Sequence, residues 1–231
     1  MLQLSERLLA VASMVTEQSR LADVGTDHGY IPIFLCEQDK IPSAIAMDIR
    51  RGPLTRAKEN IRLYGMEARI ETRLSDGVAK LMKGEADSVV IAGMGGGLIQ
   101  KILDEGRQVI ASVRELILQP QSDIDRVRQY LQKNNYQITA EKMVFEDGKF
   151  YPMMHVIHGY MKPYTDIEWK YGQFLLEERD HVLLAFLKKE ESELLKVSEN
   201  LRTVHTGKAL ERQKEIEALI AQNQRAQERM C

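Results

Sequence analysis

Five short apolar runs alternating with helical segments constrain this fold more than any other feature of the sequence. The runs are Leu21–Val24, Ala44–Met47, Ile70–Leu74, Ser88–Ala92 and Glu115–Leu118, and helical patterning occupies residues 31–39, 53–64, 97–110 and 123–133. The apolar stretches are continuous, so each strand needs cover on both faces. Crossover helices supply that cover in an α/β parallel sheet. Leu4, Leu8, Val11, Ala12 and Val15 recur at helical spacing, which predicts an amphipathic helix over 3–17 ahead of the first strand. Strand-like runs at 136–145 and 150–159 break the alternation. Glu146-Asp147-Gly148-Lys149 joins them, and Asp-Gly favours positive φ at both central turn positions. The expected sheet is therefore parallel and ends in an antiparallel hairpin.

Past Lys162-Pro163 the composition changes: glycine and proline nearly vanish and charge density rises. Leu183, Leu187, Glu190, Leu194, Val197, Leu201 and Val204 follow a heptad seam with one polar position. Thr206-Gly207 interrupts it, and Gln213, Ile216, Ile220 and Asn223 resume a weaker one. Two helices folding back on each other bury both stripes, giving an α-helical, antiparallel coiled-coil C-terminal domain over 161–231 behind an α/β domain over 1–160. The other use for such a seam is self-association.

Charge narrows the functional classes. The chain has 32 basic and 34 acidic residues, and each of the two regions carries a net charge of −1, so no global basic field advertises a nucleic acid. A local patch remains at residues 49–73, with seven basic residues (Arg50, Arg51, Arg56, Lys58, Arg62, Arg69, Arg73) against three acidic ones. Its alternative is a solvated helix face. Cys36 and Cys231 form no ligand or redox pattern, and no His/Cys/carboxylate cluster has metal-ligand spacing, so no metal is expected. Leu2–Val15 makes a poor signal peptide and no run reaches membrane-span length. The expectation is a cytoplasmic protein with no membrane association and no obligate protein partner.

The chemistry gathers at strand ends. Asp23-Val24-Gly25-Thr26-Asp27-His28-Gly29-Tyr30 closes the first strand with a turn whose glycines allow backbone to approach a ligand. Asp48 ends the second, where a carboxylate accepts from the hydroxyls of a ribose. Asp76-Gly77 follows the third, and Gly93-Met94-Gly95-Gly96-Gly97 follows the fourth. Open α/β sheets bind ligands at carboxyl ends of strands, and four successive ends here carry Gly or Asp. The first turn lacks a Gly-x-Gly-x-x-Gly pattern, and Asp27 would repel a pyrophosphate. It can pair with the cationic amino-acid end of S-adenosylmethionine, or it can cap the following helix. The terminal hairpin also separates Rossmann-like methyltransferases from dehydrogenase-type domains, which generally lack it.

Asp23 through Pro32, Met47 through Leu54, Ser75-Asp76-Gly77, Ala92 through Gly96 and Leu118-Gln119-Pro120-Gln121 together resemble the bacterial tRNA (adenine-22-N1)-methyltransferase family. The helical tail resembles it in character. That likeness implies methyl transfer from S-adenosylmethionine to N1 of adenine-22 in tRNA. It implies a cofactor site at Gly25, Thr26, Asp27, His28, Gly29, Asp48, Ile49, Asp76, Gly77, Gly93 and Met94. The residues themselves suggest positioning roles for Asp27, Gly93, Gly95 and Gln119, and RNA contact for Arg7, Tyr30, Arg50, Arg51, Arg56 and Arg62. Gln119 can bind the adenine edge or satisfy turn backbone groups, Tyr30 can stack on a base or pack under the sheet, and Arg7 can lean over the cleft or pair with a surface acid. One departure stands out: the Asn/Asp-Pro-Pro-aromatic motif of many amino-methylating relatives is replaced by Gly93-Met94-Gly95-Gly96, where no side chain can act as a base. Two other readings remain, a methyltransferase for a small molecule or protein, and a non-enzymatic RNA- or partner-binding scaffold.

Overall fold

The computed structural model describes residues 2–203 and 206–231 and divides the chain into two compact units, Met1–Lys162 and Pro163–Cys231. In the first, β1 (Leu21–Val24), β2 (Ala44–Asp48), β3 (Ile70–Leu74), β4 (Ser88–Met94) and β5 (Glu115–Pro120) are parallel. β6 (Tyr136–Glu146) and β7 (Lys149–His158) complete a seven-stranded sheet in the order β3-β2-β1-β4-β5-β7-β6. β7 runs antiparallel to both its neighbours. The hairpin turn has Asp147 at φ +48° and Gly148 at φ +76°, the conformation an Asp-Gly pair adopts most readily.

Strand order reverses between β1 and β4. Right-handed crossovers therefore put the helices before and after that point on opposite faces. α1 (Glu6–Ala12), α2 (Tyr30–Glu37) and α3 (Arg51–Leu63) contribute Val11, Ile33, Leu35 and Ile61 to one buried cluster with Leu21, Val90 and Ile117. α4 (Gly96–Glu105), α5 (Arg107–Ile110) and α6 (Ile124–Lys133) bury Ile99, Leu103, Ile110, Val127 and Leu131.

Two helices differ from the sequence expectation, each for a local reason. α1 is shorter than 3–17: Ser5 caps its start by accepting from Leu8 N, Leu2 N–H is taken by Glu37 Oε2, and the helix ends at its C-cap Ser13. The segment 97–110 breaks at Gly106. A side chain there would collide with Val78 and with the Ile102 carbonyl.

Two buried carboxylates tie the hairpin in. Arg128 of α6 donates to Glu141 of β6 through Nε at 2.9 Å and approaches it through Nη2 at 2.8 Å, with both side chains almost fully buried. At the amino ends of the strands, Glu115 accepts from Thr16 N (2.8 Å), the Thr16 and Ser88 hydroxyls and His155 Nε2 (2.8 Å). Burial alone would raise its carboxyl, but these donors bring it down to about 2.

The second unit holds α7 (Asp166–Tyr171), α8 (Gln173–Glu177), α9 (His181–Arg202) and α10 (Gly207–Met230). α9 and α10 run antiparallel: Asn223 reaches Leu187 O and Glu190, and Gln213 reaches Ser198. Leu183 and Leu187 are buried as the heptad spacing requires. Val197 is instead exposed and Ser198 takes its place in the seam, since Gln213 needs a polar partner there. Val204 lies outside the described residues. Two of the polar seam positions meet: Glu190 accepts from Asn223 Nδ2 at 2.9 Å and from Tyr171 Oη at 2.6 Å, and pairs with Lys170 at 3.0 Å.

Breaking the Arg128–Glu141 pair from one side leaves a buried charge unpaired. Arg128→Ala is expected to cost about 3–5 kcal/mol in denaturant unfolding, while the double change Arg128→Met/Glu141→Leu returns most of that loss.

Candidate functional site

The reversal of strand order opens a cleft at the carboxyl ends of β1 and β4, and a cavity of about 480 Å³ lies in it. The turn after β1 shapes one wall. Gly25 N and Thr26 N both donate to Met47 O, at 2.8 and 2.9 Å, folding the chain back onto β2. Gly25 sits at φ +78°, and the place a side chain would take is filled by Met94 Cε, so Gly is required there. Met94, read from sequence as a cofactor contact, turns its side chain to that packing and is not among the cavity-lining residues.

Three acidic residues of this wall differ in environment. Asp23 is buried and lines the cavity. Its carboxyl is pushed up to about 6, chiefly by burial, with the nearby Thr26 hydroxyl opposing the rise and the Asp48 charge adding to it. Asp48, also buried, accepts from Arg50 N at 2.7 Å through Oδ1, and its Oδ2 has no partner among the described residues. Asp27 is exposed. Its carboxyl is held below the usual range by a hydrogen bond from Arg56, and His28 Nε2 lies 3.4 Å away. It does not cap α2, whose N-cap is Gly29 at φ +69° with no side-chain bond. The backbone N–H groups of that helix start therefore stay open. His28 and Tyr30 stack at 4.9 Å and 13°, and both line the cavity.

The opposite wall belongs to β4 and β5. Gly93, at φ +78°, lines the cavity and donates its N–H to Gln119 Oε1 at 3.1 Å. Gln119 is fully buried. The same oxygen accepts from Arg7 Nη1 at 3.2 Å, and Nε2 donates to Pro120 O. Its amide is thus committed to protein partners, and Gln121 is the glutamine that lines the cavity. Gly95 caps α4, and a side chain on Gly96 would come within 2.5 Å of Ser122 O. These two glycines serve a close approach of α4 to the 122–123 loop and lie outside the cavity lining.

Other expected residues are more dispersed. Asp76 and Gly77 line a separate cavity of about 70 Å³ with Ile102 and Glu105. Ile49 is 59% exposed beside Asp48. Arg7, Tyr30 and Arg50 line the main cavity. The basic stretch is smaller than its count implies. Arg69 holds the Cys36, Ile41 and Pro42 carbonyls, Arg73 bridges Glu71 and Glu85, and Arg56 is paired with Asp27. Arg51, Lys58 and Arg62 remain exposed with no acidic partner among the described residues. Asp23 carried no assigned role in the sequence reading. The available signal was a carboxylate inside an otherwise apolar strand.

One polar atom bears directly on what this cavity holds. Thr26 Oγ1 is buried, close enough to Asp23 to oppose the rise in its carboxyl but without a hydrogen bond of normal geometry among the described residues. Native structures rarely leave such an atom unsatisfied, and here it sits beside a carboxylate with a free oxygen and an open helix start.

The sequence matches a family model described as a methyltransferase domain over residues 4–154. It is 37% identical over 198 residues to the tRNA (adenine(22)-N(1))-methyltransferase of Bacillus subtilis, covering 84% of this chain and 82% of that protein. Among solved structures, Streptococcus pneumoniae Sp1610 in complex with S-adenosyl-L-methionine is 36% identical with a TM-score of 0.88, over 97% of this chain and 99% of that one. M. capricolum TrmK in complex with S-adenosyl-homocysteine is 27% identical with a TM-score of 0.86, over 99% of both chains.

The two shifted carboxylates act on stability in opposite senses. Asp23 binds its proton more tightly folded than unfolded, so stability falls as pH rises from about 4 to about 6. Glu115 stabilises fully above the ordinary carboxylate range and loses that contribution as pH falls toward about 2. Equilibrium denaturation across the acid range is expected to lose the first slope in Asp23→Asn and the second in Glu115→Gln. An unchanged profile in either variant contradicts the corresponding assignment.

Proposed function

The chain belongs to the tRNA (adenine-22-N1)-methyltransferase family, and on that basis we propose that it transfers the methyl group of S-adenosylmethionine to N1 of adenine-22 in tRNA. The observation that carries this reading is the cavity at the β1–β4 reversal, where unsatisfied groups match the parts of that cofactor. Asp48 Oδ2 suits the ribose hydroxyls. The open start of α2 suits a carboxylate, and Asp23 suits an ammonium group, which favours its ionised form. Thr26 Oγ1 and the backbone around Gly25 complete that wall, with Asp27 and His28 at its rim. Ile49 offers an apolar face beside Asp48, and Asp76-Gly77, which lines the smaller separate cavity, is assigned to the exocyclic amine of the cofactor's adenine.

S-adenosylmethionine, when bound, supplies a methyl group already activated on a sulfonium. Adenine N1 attacks through a lone pair that needs no deprotonation, so the task of the chain is to position, orient and exclude water. Gly93 backbone and the Gln121 amide present polar groups to the cavity where the substrate base belongs. Gln119 acts from behind by fixing Gly93. Adenine N1 normally faces a paired base, so the nucleotide must be unpaired or extruded, and Tyr30 stacked on His28 offers a flat surface to receive it. Arg51 and Arg62 are cations available to phosphate; Arg7 is engaged by Gln119 and Glu146, Arg50 lies 3.8 Å from Asp48, and Arg56 becomes available only by leaving Asp27. We read α9 and α10 as an antiparallel coiled-coil hairpin that adds RNA contact by shape, and the protein as acting in the cytoplasm on tRNA.

Methyl transfer from labelled S-adenosylmethionine to unmodified tRNA transcripts tests this function. Label in the wild-type transcript and none after replacement of adenine-22 is the expected outcome. Equal labelling of both transcripts, or none of either, contradicts it.

A further inference from the structure

A chain of contacts runs from the hairpin tip to the strand end where the substrate base belongs. β7 pairs with β5 only as far as Met154, so residues 149–153 pair with β6 alone and continue past that strand. On this arm Glu146 accepts from Arg7 N at 3.1 Å, taking one of the free donors in the first turn of α1, and its carboxylate lies 4.0 Å from Arg7 Nε. Tyr151 places its ring under the Arg7 guanidinium, 5.3 Å from the centroid. Arg7 is thereby held from the backbone, the charge and the flat face at once. Its Nη1 then donates to Gln119 Oε1 at 3.2 Å, the same oxygen that takes Gly93 N–H at 3.1 Å.

We propose that Glu146 and Tyr151 are positioning residues for methyl transfer: they hold Arg7, which with Gly93 N–H fixes Gln119 Oε1 and so sets the backbone that receives the substrate base. The inference rests on the function proposed above. The geometry favours positioning over direct RNA contact because Glu146 would repel phosphate and Tyr151 has its ring face covered by Arg7. It also explains why Gln119 is buried on a strand that ends in a binding cavity. Its two ends are oriented by an oxygen between two donors and an amide on the Pro120 carbonyl. A lysine at position 7 lacks the planar fork needed to stack and donate together.

The test uses the full-length protein in two readouts. In steady-state transfer to tRNA, Glu146→Ala and Tyr151→Leu are expected to lower kcat roughly ten- to a hundredfold, as a displaced reacting geometry does. KM for tRNA and affinity for S-adenosylhomocysteine should stay within about twofold. Tyr151→Phe keeps the ring under the guanidinium and should restore the rate lost in Tyr151→Leu. In glycine-labelled NMR spectra, the Gly93 amide should shift in Arg7→Lys, Glu146→Ala and Tyr151→Leu, while Gly65 and Gly84, which have open space around them, hold still. Unchanged kcat with a stationary Gly93 amide overturns the proposal. So does a raised KM for tRNA at normal kcat, which assigns these side chains to direct RNA binding. The amide shift is read without turnover, so a wild type that labels no RNA retracts the function and leaves this contact chain to be decided by the shift.

Discussion

Two backbone donors converging on one carbonyl hold the carboxyl end of β1 in place: Gly25 N and Thr26 N both bond Met47 O. The turn is possible only because Gly25 takes a positive φ and leaves room for Met94 Cε. Ser75 N donates to Asp48 O in the same manner, so the ends of β1, β2 and β3 are stepped against one another by backbone bonds. Asp23, Thr26 and Asp48 come together as a consequence, on backbone rather than on mobile side chains. Strand reversal at β4 then supplies the facing wall.

The two ends of the sheet treat buried carboxylates in opposite ways. Glu115, at the amino ends, receives four donors and is held ionised; it anchors the segment after α1 and the hairpin to the sheet. Asp23, at the carboxyl ends, is buried with too few partners and is held toward its neutral form. Satisfied buried charges belong to folding, and under-satisfied ones mark places where a ligand is to supply the missing partner. The orphaned Thr26 hydroxyl and the free Asp48 oxygen lie at the same end as Asp23. Stability and binding are thus separated along the strand direction.

Much of this was legible in the sequence because strands buried on both faces announce themselves. Leu21–Val24 and Ile70–Leu74 coincide with β1 and β3, and Asp147-Gly148 makes the expected turn. Side-chain partnerships were less legible, since they depend on residues distant in the chain. Arg69 and Arg73 read as surface cations but serve backbone carbonyls and Glu85. Asp27 read as a cofactor partner or helix cap; α3 places Arg56 against it. Gln119 read as a base contact, yet Arg7, more than a hundred residues earlier, takes its oxygen. Asp23 was hidden for the converse reason, because a carboxylate inside an apolar strand shows its burial only once both faces are covered. The Val197–Ser198 exchange in the helical unit is a one-residue error of the same kind, decided by the polar partner Gln213 on the facing helix.

The most direct measurement is a crystal structure of the protein with S-adenosylhomocysteine bound. The ligand is expected in the cavity between the ends of β1 and β4, with ribose hydroxyls on Asp48, the Thr26 hydroxyl no longer orphaned and the sulfur toward Gly93 and Gln121. A ligand seated elsewhere, or one that leaves Asp48 and Thr26 untouched, contradicts the claim that these strand ends form the catalytic centre.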